Sequence, residues 1–244
     1  MRLLEVCVDS LESARAAIRG GADRLELCSA LSIGGLTPYT ALLDQIRAES
    51  DIPVRCLMRP RAGDFLYEKE EITMMALQMM ELQRHGANGF VIGCLTPEGD
   101  LDTEAMEFLI HYVGDVGLTL HRCIDVSRCP EDTYMAAGAL GIDTVLTSGA
   151  AGSCMKGMDT IRKLLSLPGP EVLIGAGVNA GVIRAFRQEL PKARSFHMSG
   201  KIEVPSGMVF RREGVPMGIP GFDEWHIQQT SEEAVRLAKE ALHG

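Results

Sequence analysis

The feature of this 244-residue chain that most restricts its fold is an alternation: a short β-branched or leucine-rich run, then a longer stretch of helical periodicity, eight times over. The strand-like runs are Leu3 to Val8, Arg24 to Cys28, Val54 to Met58, Phe90 to Gly93, Leu118 to His121, Thr144 to Thr147, Val172 to Gly175 and Ser195 to Met198. The first helix opens at Ser10, an N-cap residue with Glu12 in the turn that follows, and Gly20 and Gly21 end it. Later helices are expected near Tyr39 to Ala48, Lys69 to His85, Thr103 to Tyr112, Glu131 to Leu140, Met155 to Leu167, Ala180 to Glu189 and Ser231 to Leu242. Parallel neighbours need a crossover connection, and this alternation supplies one every time. The expected fold is therefore α/β, a (β/α)8 TIM-like barrel of parallel strands forming a single domain over residues 1–244, with an open doubly wound sheet as the alternative. Residues 200–230 read as a long loop after the eighth strand, and the working site of such a barrel lies at the carboxyl ends of its strands.

Alternate strand residues face the barrel interior and the helices, so parity sorts the candidate site residues. Leu4, Val6 and Val8 suit the apolar layer under the helices, which turns Glu5 and Cys7 inward; on the second strand Arg24, Glu26 and Cys28 are inward. The two strands repeat LEVC and LELC, and in matching register Glu5 would sit beside Glu26 and Cys7 beside Cys28. Arg55, Leu57 and Arg59 face inward on the third strand, so Arg55 or Arg59 is the expected partner of Glu5 or Glu26, since buried carboxylates need compensation. Thr119, His121 and Cys123 face inward on the fifth strand, and Ser195, His197 and Ser199 on the eighth. The methionines Met74, Met75, Met79 and Met80 recur at the spacing of a helix face and read as core packing, and Cys56, Cys94, Cys129 and Cys154 as structural.

Charge narrows the partners. With 24 Lys+Arg against 33 Asp+Glu the net charge is -9, which repels nucleic acid and anionic membrane surfaces alike. Arg59 with Arg61, and Arg211 with Arg212, are too short for a nucleic-acid footprint but suit one small anion. No apolar run approaches the ~20 residues of a membrane span. Seven cysteines, odd in number and scattered singly, read as reduced thiols of a cytoplasmic protein.

The segments LLEVCVDS, GGADRLELCSALSIGGLTP, RPRAGDFLY, LHRCID, VLTSG and GAGV, in this order, closely resemble the CutC family over nearly the whole chain. Ala62 replaces the first glycine of the family's RPRGGDF pattern, and Cys123 stands where alanine is common. The resemblance implies a TIM-like barrel, a cytoplasmic location, homo-oligomers, a part in copper homeostasis, and Cu(I) held by Cys7 and Cys28.

Two functions follow for testing. Cu(I) is soft and accepts two thiolates in near-linear geometry, which Cys7 and Cys28 supply if their sulfurs converge; no organic cofactor is indicated. The alternative is an enzyme acting on a small phosphorylated or carboxylated metabolite. Gly175, Gly177, Ser199, Gly200 and Lys201 end strands seven and eight, where barrels frequently hold a phosphate, and Arg59 and Arg61 supply charge. In that reading His121 and Glu26 transfer protons, Arg59 or Arg61 is the electrophilic clamp, and the segment 200–230 with Arg211 and Arg212 closes over the ligand.

Overall fold

A computed structural model describes residues 2–215, 217–218 and 223–244. Eight parallel strands run Leu3–Val8 (β1), Arg24–Leu27 (β2), Val54–Leu57 (β3), Gly89–Ile92 (β4), Gly117–Leu120 (β5), Thr144–Thr147 (β6), Glu171–Ile174 (β7) and Ser195–Met198 (β8). Each pairs with the next, and β8 pairs with β1, so the sheet is a closed barrel of the TIM type. Leu11–Arg19 (α1), Thr40–Glu49 (α2), Lys69–Arg84 (α3), Thr103–Val113 (α4), Pro130–Ala139 (α5), Met158–Leu164 (α6), Ala180–Glu189 (α7) and Glu232–His243 (α8) form the outer ring. Ser10 caps α1 by accepting a hydrogen bond from the Ser13 amide. Most element boundaries fall within two residues of the sequence expectation. Helix α6 begins later than expected, after Gly157, where two backbones meet: a Cβ on Gly149 would lie 2.1 Å from the Gly157 carbonyl oxygen.

The apolar core lies between barrel and helices, as parity requires. Leu4, Val6, Val8, Leu25, Leu27, Val54, Cys56 and Met58 are fully buried there, with Met75 and Met79 from α3. Met74 on the same helix is exposed, so the methionine run is only half core-facing. Cys123 also packs into this layer and not into the barrel, because the strand ends at Leu120 and a 3₁₀ turn, Arg122–Val126, changes the direction of its side chain.

Inside, the amino-terminal half of the barrel is polar. Arg55 reaches down to Asp143 and bonds Thr119 and Thr144, and Ser195 donates to Glu171. Space for Arg55 comes from Gly117, where a Cβ would lie 2.4 Å from its Nη2.

Register corrects one expectation. Glu5 pairs with Arg24, and Cys7 with Glu26, so the LEVC and LELC motifs are offset by two residues and are not level. Closing a barrel demands such a stagger between tilted strands. The partner of Glu5 is accordingly Arg24, not Arg55 or Arg59.

The segment after β8 is also more ordered than a loop. Lys201–Pro205 (β9) and His226–Thr230 (β10) form an antiparallel ribbon, with Arg211 over the Trp225 ring and Arg212 over Phe210. Positions 216 and 219–222 of that segment lie outside the described residues. Among the described residues, no helix is long and apolar enough to cross a membrane.

Candidate functional site

At the carboxyl end of the barrel the strands surround a cavity of about 270 Å³. Its floor and walls include Cys7, Glu26, Arg59, His121, Arg122 and His197, with Phe65, Gly177 and Ser199 at the rim. Parity had brought Cys7, Glu26, Arg59, His121 and His197 to this opening, and the structure gathers them. Gly175 is buried below it and packs against Leu146, and Gly200 packs against Met198 and Val235. Arg61 turns away to Asp64 and Glu71, while Lys201 donates to Gln228. None of the described residues of the β9–β10 ribbon lines the cavity.

The floor is an ionic chain. Glu5, fully buried, accepts from Arg24 and, at 2.8 Å, from His197 Nδ1. Burial opposes its charge, but Arg24 and His197 outweigh it and hold its carboxyl down to about 2. Burial likewise opposes a charged His197; Cys7, Glu26 and Glu5 prevail and keep it an imidazolium well above the ordinary range. Glu26 Oε2 lies 3.4 Å from the same Nδ1, but that nitrogen's single hydrogen is directed at Glu5, so Glu26 Oε2 has no hydrogen-bond partner. Burial, aided by repulsion from Glu5, pushes Glu26 up to about 7, a value suited to proton transfer near neutrality. Donor atoms of Glu5, Glu26 and His197 converge within 4.8 Å, a set that can hold a metal ion, although Arg24 already neutralises Glu5.

Arg59 is held without a carboxylate. Its Nη atoms donate to the carbonyls of Ile33, Gly35 and Gly63, its Nε has no partner, and it forms no ion pair among the described residues. It is 9% exposed, so this is a buried positive charge stabilised by carbonyl dipoles and an aromatic face and by no carboxylate among the described residues. Its guanidinium lies over the Phe65 ring, which in turn packs on His121 at 4.6 Å.

Two site residues escaped the sequence reading. Arg122, outward by parity, is turned to the cavity by the 3₁₀ turn and bonds Ser148 and Asp125. Asp125 anchors that arrangement by accepting from the amides of Ser148 and Ala150 and the hydroxyl of Thr147. The signal was the Asp three residues after Arg122 in HRCID, a spacing that lets the two pair across one turn.

The cysteines stand apart. The Cys7 thiol lines the cavity and donates to the Met198 carbonyl at 3.6 Å; Cys28 donates to the Val8 carbonyl at 3.4 Å. Cys28 is fully buried among Leu31, Leu57 and Val91, and that burial, with Cys7 nearby, pushes its thiol well up. The two-residue offset makes them diagonal neighbours, an arrangement with Cα atoms on the order of 7–8 Å apart.

Comparison with known proteins gives a consistent picture. The CutC family model matches residues 2–202, ending just inside β9. A CutC family protein of Vibrio campbellii is 37% identical over 244 residues, covering 98% of each chain. One of Xanthomonas campestris is 43% identical over 200 residues, 81% of this chain and 83% of the relative. A solved CutC protein of Streptococcus agalactiae, named for copper homeostasis, superposes with a TM-score of 0.76 at 26% identity, covering 82% of this chain and 99% of that one.

Proposed function

The chain belongs to the CutC family, and from that premise we propose that it is a barrel enzyme acting on a small anionic metabolite, with Arg59 as the anion clamp and Glu26 as the proton carrier. One observation carries the reading: a buried guanidinium at the cavity, bonded to three carbonyls and no carboxylate. An isolated buried charge is costly, and an incoming phosphate or carboxylate compensates it with forked, charge-assisted bonds. Arg122, paired with Asp125, adds a second guanidinium to the lining of the cavity. The cavity volume suits a ligand of a few heavy atoms.

The test is a thermal-shift screen of small phosphorylated and carboxylated metabolites, repeated on Arg59→Lys. A ligand that stabilises the wild type and loses most of that effect in the variant is expected. A flat response throughout, or equal shifts in both proteins, overturns the anion site.

A second reading, copper handling by Cys7 and Cys28, is favoured by one fact: both thiols project inward from neighbouring strands. It requires that anaerobic Cu(I) titration lose its tight stoichiometric site in both Cys7→Ser and Cys28→Ser. Since the offset register staggers the two thiols, we expect Cys28→Ser to bind as the wild type does.

A further inference from the structure

His121 follows the last residue of β5 and serves as N-cap of the 3₁₀ turn Arg122–Val126: its Nδ1 accepts the Cys123 backbone N–H at 3.2 Å. A backbone amide only donates, so Nδ1 carries no proton and the ring's hydrogen is on Nε2. That Nε2 is buried, on a residue 5% exposed that lines the cavity, and it has no hydrogen-bond partner. The surroundings oppose a second proton: Arg59 supplies positive charge, and the ring packs on Phe65. Burial and Arg59 together lower the group to about 3. Gly93 makes the seat, because a Cβ there would lie 2.5 Å from His121 Cε1 and 2.7 Å from Nδ1.

A fixed, neutral imidazole N–H without a partner, on a side chain that lines the cavity, matches an oxygen that gains negative charge during reaction, and stabilises it without giving up its proton. We propose that His121 Nε2–H binds the carbonyl oxygen of a small anionic carbonyl compound, and that the cavity transfers a proton at the carbon next to that carbonyl, with Glu26 as the base. The inference rests on the anion reading of the same cavity. In the step, the α-carbon's proton passes to the Glu26 carboxylate, the C–H electron pair becomes the C=C bond of an enolate, and the carbonyl π pair moves to the oxygen facing His121. Return of the proton from Glu26, or in D₂O of a deuteron exchanged onto it, to the same carbon restores the carbonyl compound and gives exchange, with no oxidant or other co-reactant.

Two measurements on the full chain test this. In ¹⁵N-histidine NMR, assigned with His121→Gln, the wild-type ring should remain the neutral Nε2–H tautomer from pH 5 to 9; titration within that range, or the Nδ1–H tautomer, overturns the proposal. In D₂O, dihydroxyacetone phosphate, glycolaldehyde phosphate and pyruvate are followed by ¹H NMR for loss of α-protons. The wild type should wash out at least one probe, and His121→Gln should slow that at least about 100-fold while its affinity for inorganic phosphate or acetate stays within about threefold. Unchanged exchange in the variant overturns the role of His121. Absence of exchange in a wild type that binds phosphate or acetate through Arg59 overturns the carbonyl chemistry alone; absence of any anion binding removes the underlying reading as well.

Discussion

Replacing Glu5 by glutamine removes one negative charge from the floor of the barrel while keeping nearly the same volume. Glu5 is fully buried, Arg24 has a side chain only 10% exposed, and one Arg24 Nη already lacks a partner. The variant would leave two buried cations, Arg24 and His197, facing a neutral amide, with Glu26 their only nearby carboxylate. Breaking one partner of a buried pair costs about 3–5 kcal/mol, which at about 2–4 °C per kcal/mol for a chain of this size is a fall in Tm of about 6–20 °C. The sign with pH is fixed too. The Glu5 carboxyl is depressed to about 2 from 4.5, so its contribution is complete above about 4.5 and is lost as pH falls toward 2. Urea unfolding of wild type and Glu5→Gln from pH 3 to 8 should therefore show curves that separate with rising pH and approach each other in acid. Glu5→Gln with Arg24→Met, which removes the stranded cation, should recover much of the loss. A single variant that loses less than about 1 kcal/mol at pH 7.5, or a gap that widens in acid, would refute the assignment of this chain as a compensated buried network.

Gly93→Ala should cost about 1–3 kcal/mol, the usual price of overpacking, and should displace the His121 ring; a wild-type ¹⁵N pattern in the variant would count against the seat. Glu26 is raised from 4.5 to about 7, so the cost of its burial to stability grows as pH rises above 4.5 and is complete above about 7. Glu26→Gln should then raise Tm at pH 8 relative to wild type, with little change at pH 5, and abolish any α-proton exchange; a lower Tm at pH 8 contradicts the pKa direction. Met208, Val209 and Phe210 stand 60%, 98% and 67% exposed on the β9–β10 arm, and we expect them to support assembly of copies of this chain. Light scattering after size exclusion should show an oligomer that Val209→Asp with Phe210→Asp dissociates, and an unchanged mass in that variant would place any interface elsewhere.

The fold was readable because its signal is repeated: eight apolar runs with helical stretches between them leave few arrangements, and the caps, such as Ser10, mark where each helix begins. The interior faces were readable for the same reason, since Val54, Cys56 and Met58 match the apolar layer and leave Arg55, Leu57 and Arg59 no other side. Parity stops working at the last residue of a strand. His121 keeps its inward direction, but the 3₁₀ turn after it sends Arg122 to the cavity and Cys123 to the core, and no alternation rule contains that turn. The β9–β10 ribbon was missed because β9 is largely exposed and β10 only partly buried, so neither carries the apolar run that marks the barrel strands.

What the sequence withheld was the relative height of one strand against its neighbour, and the chemistry of the site turns on it. Parity restricts the choices, because a slip of one residue would turn every inward side chain of β2 toward the helices. The offset between LEVC and LELC must therefore be even: zero, which places Glu5 beside Glu26, or two, which places Glu5 beside Arg24. Zero offset would set two buried carboxylates side by side, and their repulsion in a low-dielectric interior has to be relieved by protonating one of them. The two-residue offset instead gives Glu5 a cation at its own level and puts Glu26 one step higher, next to Cys7 and the cavity. Both the pattern of charges and the stagger that a closed eight-stranded barrel requires favour the second arrangement. The consequence is a different setting for two glutamates from nearly identical motifs: Glu5 is fixed as an anion that orients His197, and Glu26 keeps one buried carboxylate oxygen without a hydrogen-bond partner.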